Sequence, residues 1–203
     1  MEQIRSRKNQ YILHLRALAK SADARREAGE YVCDGEKLLR EALQFGAEVT
    51  SVLWREAAAF SLPDGIAQYA ADAELVEYAS PLMHSPGPVF TVRIPAMRLP
   101  EPLHRVIVLE GVQDPGNVGT VIRTANALGM DAVVLTGACA DLYGPKTVRA
   151  TMGALRQPVL TCAGRADAAA ARKRAQALRR GADGHGAGSA ARAAHTGCRG
   201  DRQ

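Results

Sequence analysis

The sequence predicts an α/β protein made of a small mixed α/β unit, an incomplete parallel-sheet unit and a tail. After residue 103, short runs of Val, Ile and Leu alternate with stretches whose apolar residues recur at helical spacing, as in parallel strands joined by helices. Pro95, Pro100 and Pro102 separate this part of the chain from the part before it. Residues 164–203 contain one Leu and no Ile, Val, Phe, Met, Tyr or Trp, so we expect them to be disordered. The predicted divisions are therefore residues 1–95, 103–163 and 164–203.

The first unit is predicted to contain helices and short strands. Apolar residues at helical spacing favour helices over 4–19 and 36–45, the second ended by Gly46. Residues with high β-propensity favour strands at 31–33, 49–54, 74–78 and 89–94, with a short helix at 81–84.

The second unit is predicted to have the order β-α-β-α-β. Apolar runs at 105–110, 131–135 and 159–163 are typical of buried parallel strands, and helices are expected at 118–128 and 145–155. The turn Asp114-Pro115-Gly116-Asn117 places Asn117 at the start of the first of these helices, as its N-cap. This order indicates a doubly wound parallel α/β domain, which the tail would leave incomplete.

Composition excludes several classes of protein. The longest apolar runs, 106–109 and 132–135, are far shorter than the roughly 20 residues of a membrane span. Residues 1–8 do not form the apolar core of a secretory signal, so we expect a soluble, cytoplasmic protein. The four cysteines are scattered without a C-x-x-C pair, and no histidine stands at ligand spacing to them, so no metal site is expected.

The net charge of +5 is unevenly distributed. Residues 164–203 hold nine Lys+Arg and three Asp, whereas residues 1–163 hold 17 basic and 18 acidic side chains. The first 26 residues carry seven basic side chains: Arg5, Arg7, Lys8, Arg16, Lys20, Arg25 and Arg26. These residues are equally consistent with a phosphate-binding face and with an ordinary solvated helix face.

One segment, residues 109–129, concentrates polar residues where an α/β sheet would bind a ligand. It places Glu110, Asn117 and Arg123 around the carboxyl end of a strand and the first turns of the following helix. Arg123 lies on a mostly apolar helix, so its guanidinium must reach the surface or be paired. The residues alone leave two structural alternatives open: Asn117 as a helix cap, and Arg123 as an ion-pair partner of Glu110.

The same segment resembles a known family. Its N-x-G-x-x-x-R-T-A pattern at 117–125 is similar to the first signature motif of the SpoU/TrmH family of RNA 2′-O-ribose methyltransferases, in the SPOUT superfamily. Residues 131–135 and 145–155 resemble the segment that follows this motif in the family. Ser6-Arg7-Lys8-Asn9 and residues 34–43 resemble that family's small RNA substrate-binding domain. The resemblance covers residues 4–161.

The resemblance implies a homodimer with a C-terminal knot that transfers a methyl group from S-adenosylmethionine to a ribose 2′-hydroxyl of rRNA or tRNA, with rRNA favoured. Arg123 would activate or orient the hydroxyl, Asn117 would hold the catalytic loop, and Glu110 would complete the catalytic set. The expected RNA-binding residues are Arg5, Arg7, Lys8, Lys37 and Arg40. An alternative from another class is a non-catalytic RNA-binding protein that uses the N-terminal domain alone.

The cofactor-binding residues cannot be assigned, because the motifs expected after Ala163 are missing. These are a G-N-E-G-x-G type loop and an S-L-N-V-x-x-A type helix, and the tail contains neither. The tail could also be a genuine basic segment that binds RNA nonspecifically. We favour a frameshift, because Ala, Arg and Gly are what an out-of-frame GC-rich gene encodes, and we expect a chain without these motifs to transfer no methyl group.

This hypothesis is tested on the nucleotide sequence. We expect an insertion or deletion near the codons for residues 155–164, with both motifs encoded in another frame. If neither other frame encodes them, the frameshift hypothesis is wrong.

Overall fold

The computed structural model describes residues 1–96, 104–154 and 159–161, which form two β-sheets with helices packed against them. The tail predicted at 164–203 lies outside the described residues, as do Cys162, Cys198 and most of the proline-rich link.

The first sheet has five strands: β1 (Glu2–Gln3), β2 (Glu30–Asp34), β3 (Val49–Arg55), β4 (Ala67–Ala71) and β5 (Val89–Arg93). Their order across the sheet is β1-β4-β3-β5-β2. Strand β4 runs parallel to β1 and β3, whereas β5 is antiparallel to β2 and β3. The central strand β3 has four consecutive buried residues, 51–54, so helices must cover both faces of the sheet.

Four helices accompany this sheet: α1 (Gln10–Lys20), α2 (Ala22–Ala28), α3 (Glu36–Gln44) and α4 (Ala73–Ala79). On one face, Leu15 of α1 and Val76 of α4 lie in a common apolar cluster. On the other face, Leu39 of α3 packs with Trp54 and Phe90. None of the helices in the described ranges is both long enough and apolar enough to cross a membrane.

Helix α1 begins later than predicted. Its N-cap is Asn9, whose side-chain oxygen accepts a hydrogen bond from the Tyr11 backbone N–H at 2.8 Å. Ile4 is buried as predicted for a core residue, but it continues strand β1: its N–H donates to the Ala70 carbonyl at 2.8 Å. The predicted helix over 4–19 was therefore wrong in its first turns.

Two short elements also differ from the sequence prediction. Residues 74–78, predicted as a strand, lie in helix α4, whose N-cap Asp72 accepts a hydrogen bond from the Leu75 N–H at 2.7 Å. The strand at this point of the fold is β4, which the sequence analysis missed because three of its five residues are Ala, which has low β-propensity. Residues 81–84 form a bend and turn instead of the predicted helix. Helix α2 was not predicted.

In the described part of the chain, the second sheet has three parallel strands, β6 (Val106–Glu110), β7 (Ala132–Thr136) and β8 (Val159–Thr161), in that spatial order. They are joined by α5 (Pro115–Ala127) and α6 (Pro145–Thr151). The strands follow one another in space in the same order as in the chain, so both crossover helices lie on one face of this sheet. The predicted doubly wound sheet has a switch point where the strand order reverses, and these three strands show none.

Helices α5 and α6 are in close contact at Gly119. A Cβ atom at this position would lie 2.8 Å from the Ala150 carbonyl carbon and 2.9 Å from the Thr147 carbonyl oxygen. These are backbone atoms, which cannot turn aside as a flexible side chain can. Gly119 is therefore required by the packing of the two helices.

Helix α6 and the loop before it also contact the first unit. Val148 is buried in the same apolar cluster as Tyr31, and the Tyr143 ring centroid lies 5.0 Å from that of Tyr31. Arg25 of α2 is buried and forms an ion pair with Asp141, to which its Nε–H donates at 3.1 Å. Apolar and charged contacts thus join the two units.

Gly119→Ala is expected to destabilise the protein by about 1–3 kcal/mol, because the added methyl group overpacks α5 against the backbone of α6. Helix propensity alone would give the opposite sign, since Ala is favoured over Gly by roughly 0.5–1 kcal/mol. Thr124→Ala, at an exposed position of the same helix, is the matched control and should change the free energy of unfolding little. Urea unfolding followed by circular dichroism measures both. A Gly119→Ala protein as stable as the wild type would contradict this packing.

Candidate active site

The candidate site is built on the first turns of helix α5. Asp114 is the N-cap, because its side-chain oxygen accepts a hydrogen bond from the Asn117 N–H at 2.7 Å, and Pro115 occupies the first turn. The helix therefore begins three residues before the predicted start at Val118. The prediction that Asn117 caps the helix was wrong, and its side chain remains free for another role.

One face of helix α5 is buried and the other is exposed. Val118, Ile122 and Ala125 are buried against the second sheet. Asn117 and Arg123 are exposed and, with Thr120 between them, recur every three residues along the opposite face. The Arg123 guanidinium thus reaches the surface, and the ion pairs among the described residues do not include one between Arg123 and Glu110.

This exposed face of α5 forms an open groove of about 540 Å³ with helix α6. The groove brings Asn117 and Arg123 together with Lys146 and Arg149, and Asp114 supplies the one carboxylate among the described residues that line it. Three cations against one anion favour a phosphate-bearing ligand. We call this surface the α5–α6 groove.

Lys146 and Arg149 were not predicted as site residues. They stand at i and i+3 on α6, while Thr147, Val148 and Thr151 are buried. Two cations on the exposed side of a short amphipathic helix are the sequence signal that could have identified them.

Glu110 lies apart from the other two catalytic candidates. It is the last residue of β6, paired in register with Thr136 of β7, and it is not among the residues that line the α5–α6 groove. The structure therefore brings Asn117 and Arg123 into one groove and places Glu110 at the carboxyl edge of the sheet.

That edge is the usual ligand-binding edge of an open α/β sheet. Gly111 and Gly137 follow β6 and β7, both with positive φ, and the Gly111 N–H donates to the Thr136 carbonyl at 3.0 Å. A Cβ atom at Gly137 would lie 3.6 Å from the Gly111 nitrogen, so the absence of side chains leaves the backbone accessible at this edge. These two loops fit the close approach of a nucleoside-like group.

The predicted RNA-binding residues near the N-terminus lie on the α4 side of the first unit. Arg7 forms an ion pair with exposed Glu74, and its guanidinium lies 4.6 Å from the Tyr78 ring centroid. Arg5 and Lys8 are exposed on either side of it.

The other two candidates, Lys37 and Arg40, lie on α3, across the first sheet from α4. Arg40 forms an ion pair with Glu36 at 2.7 Å, and its guanidinium lies 3.9 Å from the Phe60 ring centroid. The structure therefore does not bring the five predicted RNA-binding residues onto one surface.

Three further N-terminal cations make contacts with other residues of the first 141. Arg25 is buried against Asp141, and the Arg16 guanidinium lies 3.9 Å from the Tyr78 ring centroid. Arg26 pairs with Asp23 within α2. The basic cluster seen in the sequence is thus reduced to a smaller exposed set.

Titratable groups with strongly shifted pKa values are mostly core residues. Burial raises the pKa of Tyr143 to about 12 and also raises the pKa of the Cys33 thiol. Within the described ranges, no group of His, Cys, Asp and Glu could hold a metal ion.

Residues 104–191 match the family model described as the SpoU rRNA Methylase family. The chain is 33% identical over 156 residues to the 23S rRNA (guanosine(2553)-2′-O)-methyltransferase RlmP of Bacillus subtilis, covering 75% of this chain and 62% of that protein. It is 30% identical to a structure from Porphyromonas gingivalis assigned to the TrmH family, with a TM-score of 0.71, covering 85% of this chain and 69% of the other. An AdoMet-bound rRNA methyltransferase from Sinorhizobium meliloti is 26% identical, with a TM-score of 0.70 and coverage of 79% and 64%. The chain therefore spans less than two thirds of the length of the Bacillus relative.

Proposed function

The chain belongs to the SpoU methylase family, and from this premise we propose that it is an RNA 2′-O-ribose methyltransferase acting on rRNA with S-adenosylmethionine as methyl donor. The observation that carries the proposal is the α5–α6 groove, in which Asn117 and Arg123 of the family-like motif face solvent beside Lys146 and Arg149. Its excess of positive charge suits an RNA backbone. The naming of the Bacillus relative as a 23S rRNA methyltransferase supports rRNA as the substrate class.

In this proposal Arg123 orients the ribose hydroxyl and stabilises charge that develops on it. A ribose hydroxyl is a poor nucleophile, so holding it in line with an electrophilic methyl group supplies much of the rate enhancement. Arg side chains stay protonated in proteins, and an exposed guanidinium is suited to donate hydrogen bonds rather than to accept a proton. Asn117, six residues earlier on the same face, would hold the catalytic loop through its amide.

S-adenosylmethionine would supply the electrophilic methyl group. We propose that Gly111 and Gly137 at the carboxyl edge of the sheet contact this cofactor, and that Glu110 acts from that edge rather than from the α5–α6 groove. The two motifs expected to complete the cofactor site follow residue 163, outside the described residues.

The division of labour between the two units is also a proposal. Residues 1–95 would bind RNA, using Arg5, Lys8 and Lys37 as exposed cations, and residues 103–163 would carry the catalytic groove. Cytoplasmic location and a homodimer belong to the same proposal. The free thiols of Cys33 and Cys139 are consistent with a reducing compartment, and analytical ultracentrifugation tests the dimer.

The overall proposal is tested by transfer of a tritiated methyl group from S-adenosylmethionine to rRNA. Two proteins are compared: this chain, and a version in which a segment carrying both expected motifs replaces residues 164–203. Transfer to a ribose 2′-hydroxyl by the second protein is the expected result, and no transfer by either would contradict the proposal. Calorimetry with S-adenosylmethionine separates it from the alternative of a non-catalytic RNA-binding protein, which would take up no cofactor.

Arg123→Ala is expected to abolish turnover, whereas Lys146→Ala should raise KM for RNA with little effect on kcat, because Lys146 contributes only charge to the groove. Arg123→Lys keeps the charge but loses the planar fork, so it should recover only a small part of the activity. All three are measured in the version that carries both motifs, with Tm as the control for folding. Normal methyl transfer by Arg123→Ala would end its assignment as catalytic.

Charge reversal of Arg5 and Lys8 tests RNA binding by the N-terminal segment. Arg7 is left unchanged because its ion pair with Glu74 would confuse the result. Each lost phosphate contact should reduce the slope of log K against log salt by about 0.7–0.9 and weaken binding of all sequences alike. A protein ending at residue 163 is used, so that the basic tail cannot mask the loss. If the slope does not change, these residues do not contact phosphate.

A further inference from the structure

A second cleft, of about 320 Å³, lies between the first unit and helix α6. Most of its wall is apolar and is formed by Val32, Leu38, Pro81, Leu82, Pro145 and Val148. The cleft shares Arg149 and Met152 with the α5–α6 groove, so the two cavities are direct neighbours. Adjacent nucleotides of one strand could therefore occupy the groove and the cleft.

Two residues with carboxylates line the cleft, Asp34 and Glu41, and the carboxylate of Asp34 is held by hydrogen bonds. Its Oδ2 accepts hydrogen bonds from the hydroxyls of Ser80, at 2.6 Å, and Ser85. The serines are themselves held, because Ser80 Oγ accepts from the Leu82 N–H and Ser85 Oγ accepts from the Gly87 N–H. Among the described residues, none donates a hydrogen bond to Oδ1 of Asp34. Of the two carboxylates, that of Asp34 is therefore the one whose position hydrogen bonds among the described residues fix.

Opposing effects act on the pKa of this carboxylate. Burial raises the pKa of Asp34, while the hydrogen bonds from Ser80 and Ser85 and the positive charge of Arg149 act in the opposite direction. A half-buried acceptor in an apolar wall favours a ligand that brings N–H donors to it.

Two cations, Lys37 of α3 and Arg149 of α6, line the cleft beside the carboxylates of Asp34 and Glu41. The ligand that matches has a flat apolar body, a donor edge and adjacent negative charge, as an unstacked RNA base with its flanking phosphates does. Among the four bases only guanine presents two adjacent donors, N1–H and the N2 amino group, on its Watson–Crick edge. Adenine, cytosine and uracil place an acceptor beside their donor, which a carboxylate repels.

We propose that this cleft binds one unstacked guanine of the RNA, close in the strand to the nucleotide held in the α5–α6 groove, with Asp34 Oδ1 accepting hydrogen bonds from its Watson–Crick edge. Lys37 and Arg149 neutralise the phosphates on either side of this base. The inference rests on the proposed function, because the guanine belongs to the same RNA substrate.

The test uses the full chain and four labelled octamers of uridine that carry guanosine, inosine, adenosine or uridine at the fourth position, with affinity measured by fluorescence anisotropy. The guanosine octamer should bind about fivefold more tightly than the inosine octamer, which lacks the N2 amino donor, and about tenfold more tightly than the other two. Equal affinity for the guanosine and inosine octamers would overturn the proposal without any variant being needed.

Asp34→Asn should remove the preference for guanosine over inosine. The two serine hydroxyls keep the amide oxygen at the Oδ2 position, so the amide NH₂ group then faces the donors of the base. Glu36→Gln is the matched control: it changes a carboxylate two residues away that pairs with Arg40 and does not line the cleft, so the preference should persist. A preference that survives Asp34→Asn in a protein with normal Tm would also overturn the proposal.

Two further results separate this inference from other possibilities. If guanosine monophosphate alone binds as tightly as the guanosine octamer, the cleft takes a free nucleotide and the proposal of an RNA base is wrong. If the protein methylates rRNA but shows no preference for guanosine, the proposed function stands and this inference fails. If the protein prefers guanosine but transfers no methyl group to rRNA, this inference stands and the proposed function fails.

Discussion

The packing of helix α6 between the two units is the constraint on which the candidate sites depend. With seven residues the helix is too short to be stable alone, so its position comes from tertiary contacts. Gly119 allows α5 to lie against its backbone, and Val148 inserts into the core of the first unit. Since Lys146 and Arg149 project from the remaining surface of the same helix, the two packing contacts decide where these cations stand.

The contact between the units also determines how the positive charge of the chain is used. Arg25 is buried and forms an ion pair with Asp141, whose side chain stays partly exposed. The guanidinium groups of Arg7 and Arg16 both make cation–π contacts with the Tyr78 ring. As a result, Arg7, Arg16 and Arg25 are engaged within the fold, whereas Lys146 and Arg149 of α6 line the α5–α6 groove.

Arg149 connects the two cavities physically, since it lines both the α5–α6 groove and the apolar cleft beside Asp34. A single side chain at such a junction can contact the phosphate between two nucleotides whose bases enter different cavities. In the proposed function, the unit that binds RNA and the unit that carries the α5–α6 groove would then share a surface. This arrangement would couple the choice of nucleotide to the position of the reacting ribose.

The sequence by itself determined the elements whose pattern is strong and local. The strands β3, β5, β6 and β7 and helix α3 were predicted to within a few residues, because runs of β-branched residues and a regular apolar stripe each favour one structure. The N-x-G-x-x-x-R-T-A motif also indicated the family, since its spacing places Asn117 and Arg123 on one helix face wherever the helix lies. Tertiary structure decided the rest. Whether residues 67–71 or 74–78 formed the strand depended on a pairing partner in β3, and whether Asp114 or Asn117 capped α5 depended on a backbone turn. The grouping of Arg123 with Lys146 and Arg149, and of Asp34 with Arg149, required contacts between residues far apart in the chain, which no local pattern of residue types encodes.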